Sequence, residues 1–196
     1  MSILPIYNCF HPILKIKTEP VKEINDDIKN LIADMFETMD NTGNGVGLAA
    51  NQVGKSLSIF VINVSELEEY PDITPFACIN PEILEYSNDT VTISEGCLSS
   101  PELYQDIERP NSIKIKYYDH EMNEIVKTFD GFLARVLQHE YDHLQGILFF
   151  EKLSNFKQTL IKNKLNKIKN SKYDIDYNMI NYNGTLKKST WDKIDE

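Results

Sequence analysis

Two histidines and a glutamate at helical spacing are the residues of this sequence best suited to chemistry. The stretch from Gln138 to Gly146 reads QHEYDHLQG and contains His139, Glu140 and His143. Positions four residues apart share one face of a helix, so both imidazoles can reach a single metal ion. Glu140 follows the first histidine, where a general base for a metal-activated water is expected. An amphipathic helix with two hydrogen-bonded histidines would match the same pattern, but few H-E-x-x-H helices lack a metal role.

A catalytic site of this kind needs a third protein ligand and one open coordination position. No histidine follows His143, and Phe149 stands where the extended H-x-x-G-x-x-H pattern requires one. The stretch 160–165, where a downstream glutamate would be expected, reads LIKNKL. The third ligand is therefore expected upstream. Cys97, in the glycine-marked stretch Glu95-Gly96-Cys97-Leu98-Ser99, is the best candidate.

Composition limits the class of protein. A chain of 196 residues with 41% hydrophobic residues suits one domain with a sizeable core. No apolar run approaches the ~20 residues of a membrane span, and the N-terminus lacks the pattern of a signal peptide. Three cysteines argue against a disulfide framework and favour a reducing, cytoplasmic compartment. The net charge of −10 disfavours general nucleic-acid binding. We therefore expect neither a membrane partner nor a specific nucleic-acid partner.

Three helices are predicted from apolar periodicity and capping residues. The first begins at Asn25, and its apolar positions from Ile28 to Met39 lie on one face. The second, about 132–144, carries the two histidines and has apolar residues on more than one side, which predicts a central, buried helix. The third spans about 154–170, with a predicted inner side of Phe156, Leu160, Ile161, Leu165 and Ile168. We expect residues 1–172 to form a single catalytic domain and residues 173–196 to form a polar tail.

Short strand-like runs occupy much of the remaining chain. They cover 57–64, 76–79, 83–86, 91–93, 113–118 and 125–129. Turn residues separate several of them at short spacings, which indicates antiparallel pairing. The predicted class is α+β, with antiparallel strands wrapped around the central H-E-x-x-H helix and with one further helix near each end. Gly45 to Ala50 matches a loose dinucleotide fingerprint, but it follows a helix and leads into a strand, so its context rejects that function.

Three stretches together resemble the signature motifs of the peptide deformylase family. They are Gly45 to Gln52 (GVGLAANQ), Glu95 to Ser99 (EGCLS) and Gln138 to Gly146, and the resemblance covers roughly residues 3–172. It implies removal of the formyl group from N-formylmethionine at the start of nascent proteins, with release of formate.

The resemblance also implies the roles of individual residues. One divalent metal ion, Fe²⁺ natively with Zn²⁺, Ni²⁺ or Co²⁺ as substitutes, would be held by Cys97, His139 and His143. Glu140 would be the general acid and base, and Gln52 with the N–H of Leu98 would form the oxyanion hole. The implied substrate-cleft residues are Val46, Gly47, Ile93, Tyr104, Phe132 and Val136. Arg135 falls near the methionine pocket, and we expect its stem to pack while its charged head faces solvent.

Two other functions match part of the pattern. A zincin-type metallopeptidase would need the downstream third ligand that this sequence lacks. A non-enzymatic metal-binding module would need four protein ligands, and no fourth cysteine or histidine falls in a recognisable motif.

Two predictions concern charged residues outside the motifs. Asp142 on the central helix and Arg109, the only arginine near the cysteine stretch, are predicted to form a buried ion pair that fixes the helix against the strand region carrying Cys97. The segment from Lys152 to Lys172 holds seven lysines and no acidic residue. A solvated face would account for such a run, and contact with ribosomal RNA phosphates during synthesis of the nascent substrate is the alternative.

Overall fold

The first helix forms where its capping residue predicts. In the computed structural model, which describes residues 2–190, helix α1 (Asp26–Asp40) begins after Asn25, whose side chain accepts a hydrogen bond from the Ile28 N–H. Two acidic residues in the first turn favour this end of the helix because they face its positive dipole. One face of α1, including Met35 and Met39, is buried in the core, so the prediction for this helix is confirmed.

Within residues 2–190 the strands form three sheets, in which antiparallel pairing dominates. Their bounds are β1 (Ile6–Tyr7), β2 (Gly47–Ala49), β3 (Ile59–Ile62), β4 (Phe76–Tyr86), β5 (Thr90–Cys97), β6 (Ser100–Pro110), β7 (Ser112–Tyr118), β8 (Glu124–Asp130), β9 (Met179–Ile180) and β10 (Leu186–Lys187). The largest sheet has the order β2-β3-β4-β7-β8 and is antiparallel throughout. Strands β5 and β6 form a separate hairpin, and β9 pairs with β1 in parallel and with β10 in antiparallel fashion.

Two strand predictions were incomplete. The runs 76–79 and 83–86 belong to one strand, β4, because Asn80 and Pro81 are accommodated at an irregularity in the pairing and not in a turn. Asn80 has a φ of 50°, a left-handed conformation that asparagine tolerates better than most residues. Strand β6 was not predicted, since its sequence SPELYQDIERP contains few β-branched residues and its stability depends on pairing with β5.

Helix α2 (Gly131–Leu144) packs against the large sheet. It contacts β2 and β3 at one end of the large sheet and β7 and β8 at the other. Eleven of its residues are buried, and these include the polar residues of the H-E-x-x-H stretch. The predicted combination of helices with antiparallel sheets is therefore confirmed.

Helix α3 (Asn155–Lys169) packs on the outside of the molecule by a narrow stripe. Ile161 and Ile168 are buried and Leu165 is partly buried, whereas Phe156 is 73% and Leu160 66% exposed. The prediction that these last two side chains face the core was wrong. Leu160 lies about 100° around the helix from Ile161, so a contact stripe one residue wide leaves it in water.

The segment 173–190 is folded, and the prediction of a polar tail was wrong for it. Tyr173, Ile175 and Met179 are buried in the same core as the inner residues of α3. Its polar residues are used internally, because the Tyr173 hydroxyl donates to Asn181 Oδ1 at 3.0 Å, and Asn8 from the N-terminal region donates to that hydroxyl. Residues 191–196 lie outside the described part of the chain. Within residues 2–190, none of the helices combines the length and apolar character needed to cross a membrane.

Candidate metal centre and substrate cleft

The fold brings together the three side chains predicted to bind a metal. Cys97 stands at the end of β5, and His139 and His143 lie one turn apart on α2. One ligand atom from each of the three lies within 4.8 Å of those from the other two. Cys97 Sγ lies 3.2 Å from His143 Nε2. The end of strand β5 and the histidine face of the helix 131–144 therefore meet at the predicted metal site.

A buried carboxylate sets the orientation of His139. Glu95 Oε2 lies 3.0 Å from His139 Nδ1, and because an ionised carboxylate only accepts hydrogen bonds, Nδ1 carries the proton and Nε2 is free to bind a metal. Burial alone would raise the pKa of Glu95, but hydrogen bonds from Arg109 and His139 outweigh it and hold this pKa well below its usual range. Glu95 therefore remains an anion, and sequence reasoning assigned it no role.

The donor set fits a single divalent transition-metal ion. One thiolate and two imidazoles are ligands suited to zinc and iron, and they leave a coordination position open. Burial lowers the pKa of His143 well below its usual value, which keeps it neutral, as a ligand must be. For His139 burial acts in the same direction, but hydrogen bonds to Cys97 and Glu95 raise the pKa to about 10. A bound cation would replace that proton at Nε2.

Glu140 is a buried carboxylate beside the ligand cluster. It is 4% exposed, and its Oε2 has no hydrogen-bond partner within residues 2–190. Burial is the main reason that its pKa is raised to about 7. Strand β2 approaches it so closely that a Cβ on Gly47 would lie 2.6 Å from Glu140 Oε1, so only glycine fits there. The arrangement keeps an unpaired proton acceptor next to the cluster and facing the cavity.

Gln52 presents its amide nitrogen to the cluster. Its Oε1 accepts a hydrogen bond from the Ala49 N–H at 2.8 Å, which turns Nε2 towards Cys97 Sγ at 3.6 Å and Ser99 Oγ at 3.2 Å. The residue is almost fully buried in the short helical turn Ala50–Val53 after β2. An uncharged donor is thus fixed beside the cysteine, next to Leu98.

A network of buried ion pairs ties α2 to the β5–β6 hairpin. Arg109 Nη1 lies 2.5 Å from Asp142 Oδ2, which confirms the predicted pair, and Arg109 Nε donates to Glu95 Oε1 at 2.6 Å. Lys152 also contacts Asp142, at 3.0 Å. Because Glu95 in turn orients His139, the network connects this candidate metal ligand to the surrounding scaffold.

Arg135 belongs to this network, and the prediction that its head faces solvent was wrong. The residue is 3% exposed, and its Nη1 donates to Glu95 Oε1 and to the Ile107 carbonyl, both at 2.6 Å. A guanidinium can be buried here because Glu95, 40 residues earlier in the chain, supplies a buried anion. One feature of the sequence could have predicted this burial. Glu95, two positions before Cys97, is an acidic residue in a strand whose residues otherwise alternate between polar and apolar.

A cavity of about 470 Å³ opens beside the cluster. Five of the six predicted cleft residues line it: Val46, Gly47, Tyr104, Phe132 and Val136. Ile93 does not line it, which corrects the prediction: its partner across the β5–β6 hairpin is the buried Ile107. Residues 174–177 line the cavity as well, and the sequence analysis had placed them in a tail.

Comparisons with known proteins agree with this geometry. Residues 3–159 match the family model described as polypeptide deformylase. A peptide deformylase of Salinibacter ruber is 41% identical over 185 residues, covering 91% of this chain and 94% of that protein. One from Rickettsia prowazekii is 45% identical over 175 residues, covering 87% and 99% respectively.

Solved structures give the same result at the level of the fold. The crystal structure of peptide deformylase from Ehrlichia chaffeensis superimposes with a TM-score of 0.78 at 39% identity, covering 87% of this chain and 98% of that one. Such matches favour neither a zincin-type peptidase nor a non-catalytic metal-binding module. The chain belongs to the peptide deformylase family, the metal-dependent hydrolases that remove the N-formyl group from nascent proteins.

Proposed function

We propose that this chain deformylates N-formylmethionyl peptides with Glu140 as general acid and base and with Cys97, His139 and His143 as the metal ligands. The observation that carries the proposal is the buried carboxylate of Glu140, unpaired at Oε2 within the described residues and adjacent to a three-ligand cluster at a cavity wall. In a structural metal site, protein ligands fill all coordination positions of the ion, so no bound water is left for a general base to activate.

The reaction follows from the positions of the side chains. A divalent ion held by Cys97, His139 and His143 would act as a Lewis acid and would lower the pKa of the attacking water. Glu140 accepts the proton of that water as its oxygen attacks the formyl carbon. Gln52 Nε2 and the Leu98 N–H donate to the oxyanion that forms, and one well-placed donor is worth about 3 kcal/mol. Glu140 then protonates the leaving amine, and formate and a free N-terminal methionine result.

The cleft suits an extended peptide. Strand β2 is an edge strand of the large sheet, paired on one side with β3. A peptide lying along its other edge would gain main-chain hydrogen bonds from Val46 and Gly47. Phe132 and Val136 on α2 supply apolar surface for the methionine side chain, and Tyr104 also lines the cavity.

Formate release from formyl-Met-Ala-Ser tests the activity. The unformylated peptide is the matched control, and assay for cleavage of an internal peptide bond separates deformylation from peptidase action. Cleavage of internal bonds without formate release would contradict the proposal.

We further propose Fe²⁺ as the native ion, with Zn²⁺, Ni²⁺ or Co²⁺ able to replace it. The support is the donor set of one soft thiolate and two imidazoles, which binds any of these ions. Metal analysis of protein isolated without oxygen tests the assignment. Zinc as the dominant ion in every anaerobic preparation would contradict it.

The place of action is proposed to be the cytoplasm, at the ribosome. Helix α3 presents Lys162, Lys164 and Lys167 in water, and the exposed Phe156 lies on the same helix. Lysine contacts with RNA phosphates weaken steeply as salt concentration rises. Ribosome co-sedimentation at low and high salt tests this contact, and binding that does not change with salt would contradict it.

A further inference from the structure

The segment 173–190 contributes a wall of the substrate cavity. It lies C-terminal to residues 3–159, which match the family model. Asp174, Ile175, Asp176 and Tyr177 line the cavity together with the residues of the candidate metal centre. A stretch outside the matched region is therefore close enough to the reacting groups to affect them.

Tyr177 contacts the turn that joins β5 to β6. Its hydroxyl donates a hydrogen bond to the Leu98 carbonyl at 2.7 Å. Burial raises the pKa of Tyr177, so the hydroxyl stays protonated and remains a donor. The turn between paired residues Cys97 and Ser100 contains only Leu98 and Ser99. The Leu98 carbonyl shares a peptide plane with the Ser99 N–H, and in so short a turn fixing that plane also restricts the neighbouring plane, which carries the Leu98 N–H.

A second contact holds the other residue of the turn. The Cys9 N–H donates to the Ser99 carbonyl at 2.8 Å, and Gln52 Nε2 lies 3.2 Å from Ser99 Oγ. The Leu98 carbonyl is held in the same way by the Tyr177 hydroxyl. The two carbonyls of the turn are thus anchored by two different parts of the chain.

Tyr177 is itself firmly placed. Ile175 before it and Met179 after it are both buried in the core, and the Ile175 carbonyl accepts a hydrogen bond from the Thr190 N–H at 2.8 Å. The Asp174 N–H donates to Glu102 Oε1 on β6 at 3.3 Å. Because the residues on both sides of Tyr177 are held in place by these contacts, its hydroxyl is fixed in position beside the turn.

We propose that Tyr177 is a positioning residue that holds the turn at Leu98 in the geometry needed to stabilise the oxyanion. The inference rests on the proposed role of the Leu98 N–H as an oxyanion donor. Tyr177 then acts on the candidate active site from a segment that the sequence analysis had assigned to a tail. A preorganised donor acts on the transition state more than on the bound substrate, so kcat should depend on this contact while KM should not.

The test compares Tyr177→Phe with Tyr173→Phe. Each variant removes one hydroxyl from the same segment, but the Tyr173 hydroxyl contacts Asn181 and Met179 and not the turn. For Tyr177→Phe we expect kcat for formyl-Met-Ala-Ser to fall about 10-fold, less than the loss on removing a donor outright, with KM within about 2-fold and metal content unchanged. Tyr173→Phe should lower thermal stability and leave kcat as in the wild-type protein.

Hydrogen exchange gives a readout that does not require turnover. In the zinc-loaded protein, the amides of Leu98 and Ser99 should exchange faster in Tyr177→Phe than in Tyr173→Phe. Equal exchange in the two variants, or equal losses of kcat, would overturn the inference. A wild-type protein that releases no formate would contradict the proposed function, while faster exchange at Leu98 would still support the anchor.

Discussion

Helices α2 and α3 are of similar length and differ almost completely in what they bury. Eleven of the 14 residues of α2 are buried, and they include two histidines, a glutamate and an aspartate. Of the 15 residues of α3, only Ile161 and Ile168 are buried, while Phe156 and Leu160 are exposed. Polar side chains are therefore inside in one helix and large apolar side chains are outside in the other. The burial of a helix therefore depends on the elements around it as well as on its own composition.

The surroundings explain the difference. Helix α2 lies against the large sheet, and its polar side chains meet partners from the β5–β6 hairpin, chiefly Glu95 and Arg109. Asp142 and Arg135 each have an opposite charge within hydrogen-bond distance, which offsets the cost of their burial, whereas Glu140 Oε2 has no hydrogen-bond partner within the described residues. Helix α3 contacts β6 and the segment 173–190 along one stripe, so its remaining surface stays in water.

Glu140→Gln on α2 should have the largest effect on function. The amide keeps the size of the side chain but cannot accept and return a proton, so kcat should fall by at least ~10²–10⁴-fold. Metal content should not change, because Glu140 is not a ligand in the proposed site. Formate release and metal analysis on the same sample measure both quantities. Wild-type activity in the folded variant would end the proposed mechanism.

Glu95→Gln tests whether buried charges hold α2 in place. Arg109 and Arg135 would lose the negative charge that offsets the cost of burying their guanidinium groups. The free energy of unfolding should therefore fall by about 3–5 kcal/mol. His139 would lose its orienting carboxylate, so metal affinity should fall ~10–100-fold. Urea unfolding and metal competition measure these changes.

The matched control for that change is Glu85→Gln. Glu85 pairs with Lys114 on the surface, where its side chain is 68% exposed. The same replacement there should alter stability by less than ~1 kcal/mol, since exposed pairs contribute little. Equal losses at the two positions would show that burial of the network is not what stabilises α2.

Two adjacent residues on α3, Ile161 and Leu160, test the comparison between buried and exposed side chains on the outer helix. Ile161→Ala should cost about 2–5 kcal/mol of unfolding free energy because it leaves a cavity in the core. Leu160→Ala should change stability by no more than ~0.5 kcal/mol, because that side chain is 66% exposed. Denaturant unfolding of the two variants measures the difference. A larger loss of unfolding free energy for Leu160→Ala than for Ile161→Ala would contradict the narrow contact stripe and support the broad inner face predicted from the sequence.

The smallest effect on chemistry is expected from the lysines of α3. Replacing Lys162, Lys164 and Lys167 together with glutamate should leave hydrolysis of free formyl-Met-Ala-Ser within about 2-fold of wild type, because charges in water are screened over ~8–10 Å. Ribosome co-sedimentation at low salt should weaken. Unchanged co-sedimentation would leave α3 as a solvated cover on the core.

The sequence by itself determined the features that depend on short-range interactions. Capping at Asn25 and apolar periodicity placed α1, and α2 and α3 were predicted to within one residue at each end. The four-residue spacing of His139 and His143 put both on one face, and the absence of a downstream ligand pointed to Cys97. Strand β6 was missed because its residues have little intrinsic preference for a strand and acquire one by pairing.

Tertiary structure alone decided which charges are buried and which apolar residues are exposed. Arg135 is inside because Glu95 meets it from a different element, and Leu160 is outside because the core contacts a single stripe of α3. The segment 173–190 looked like a tail because its polar residues gave no periodic signal. Its fold depends on contacts with Asn8 and β1 at the opposite end of the chain, and the entropy of closing so long a loop is offset only once the core has formed.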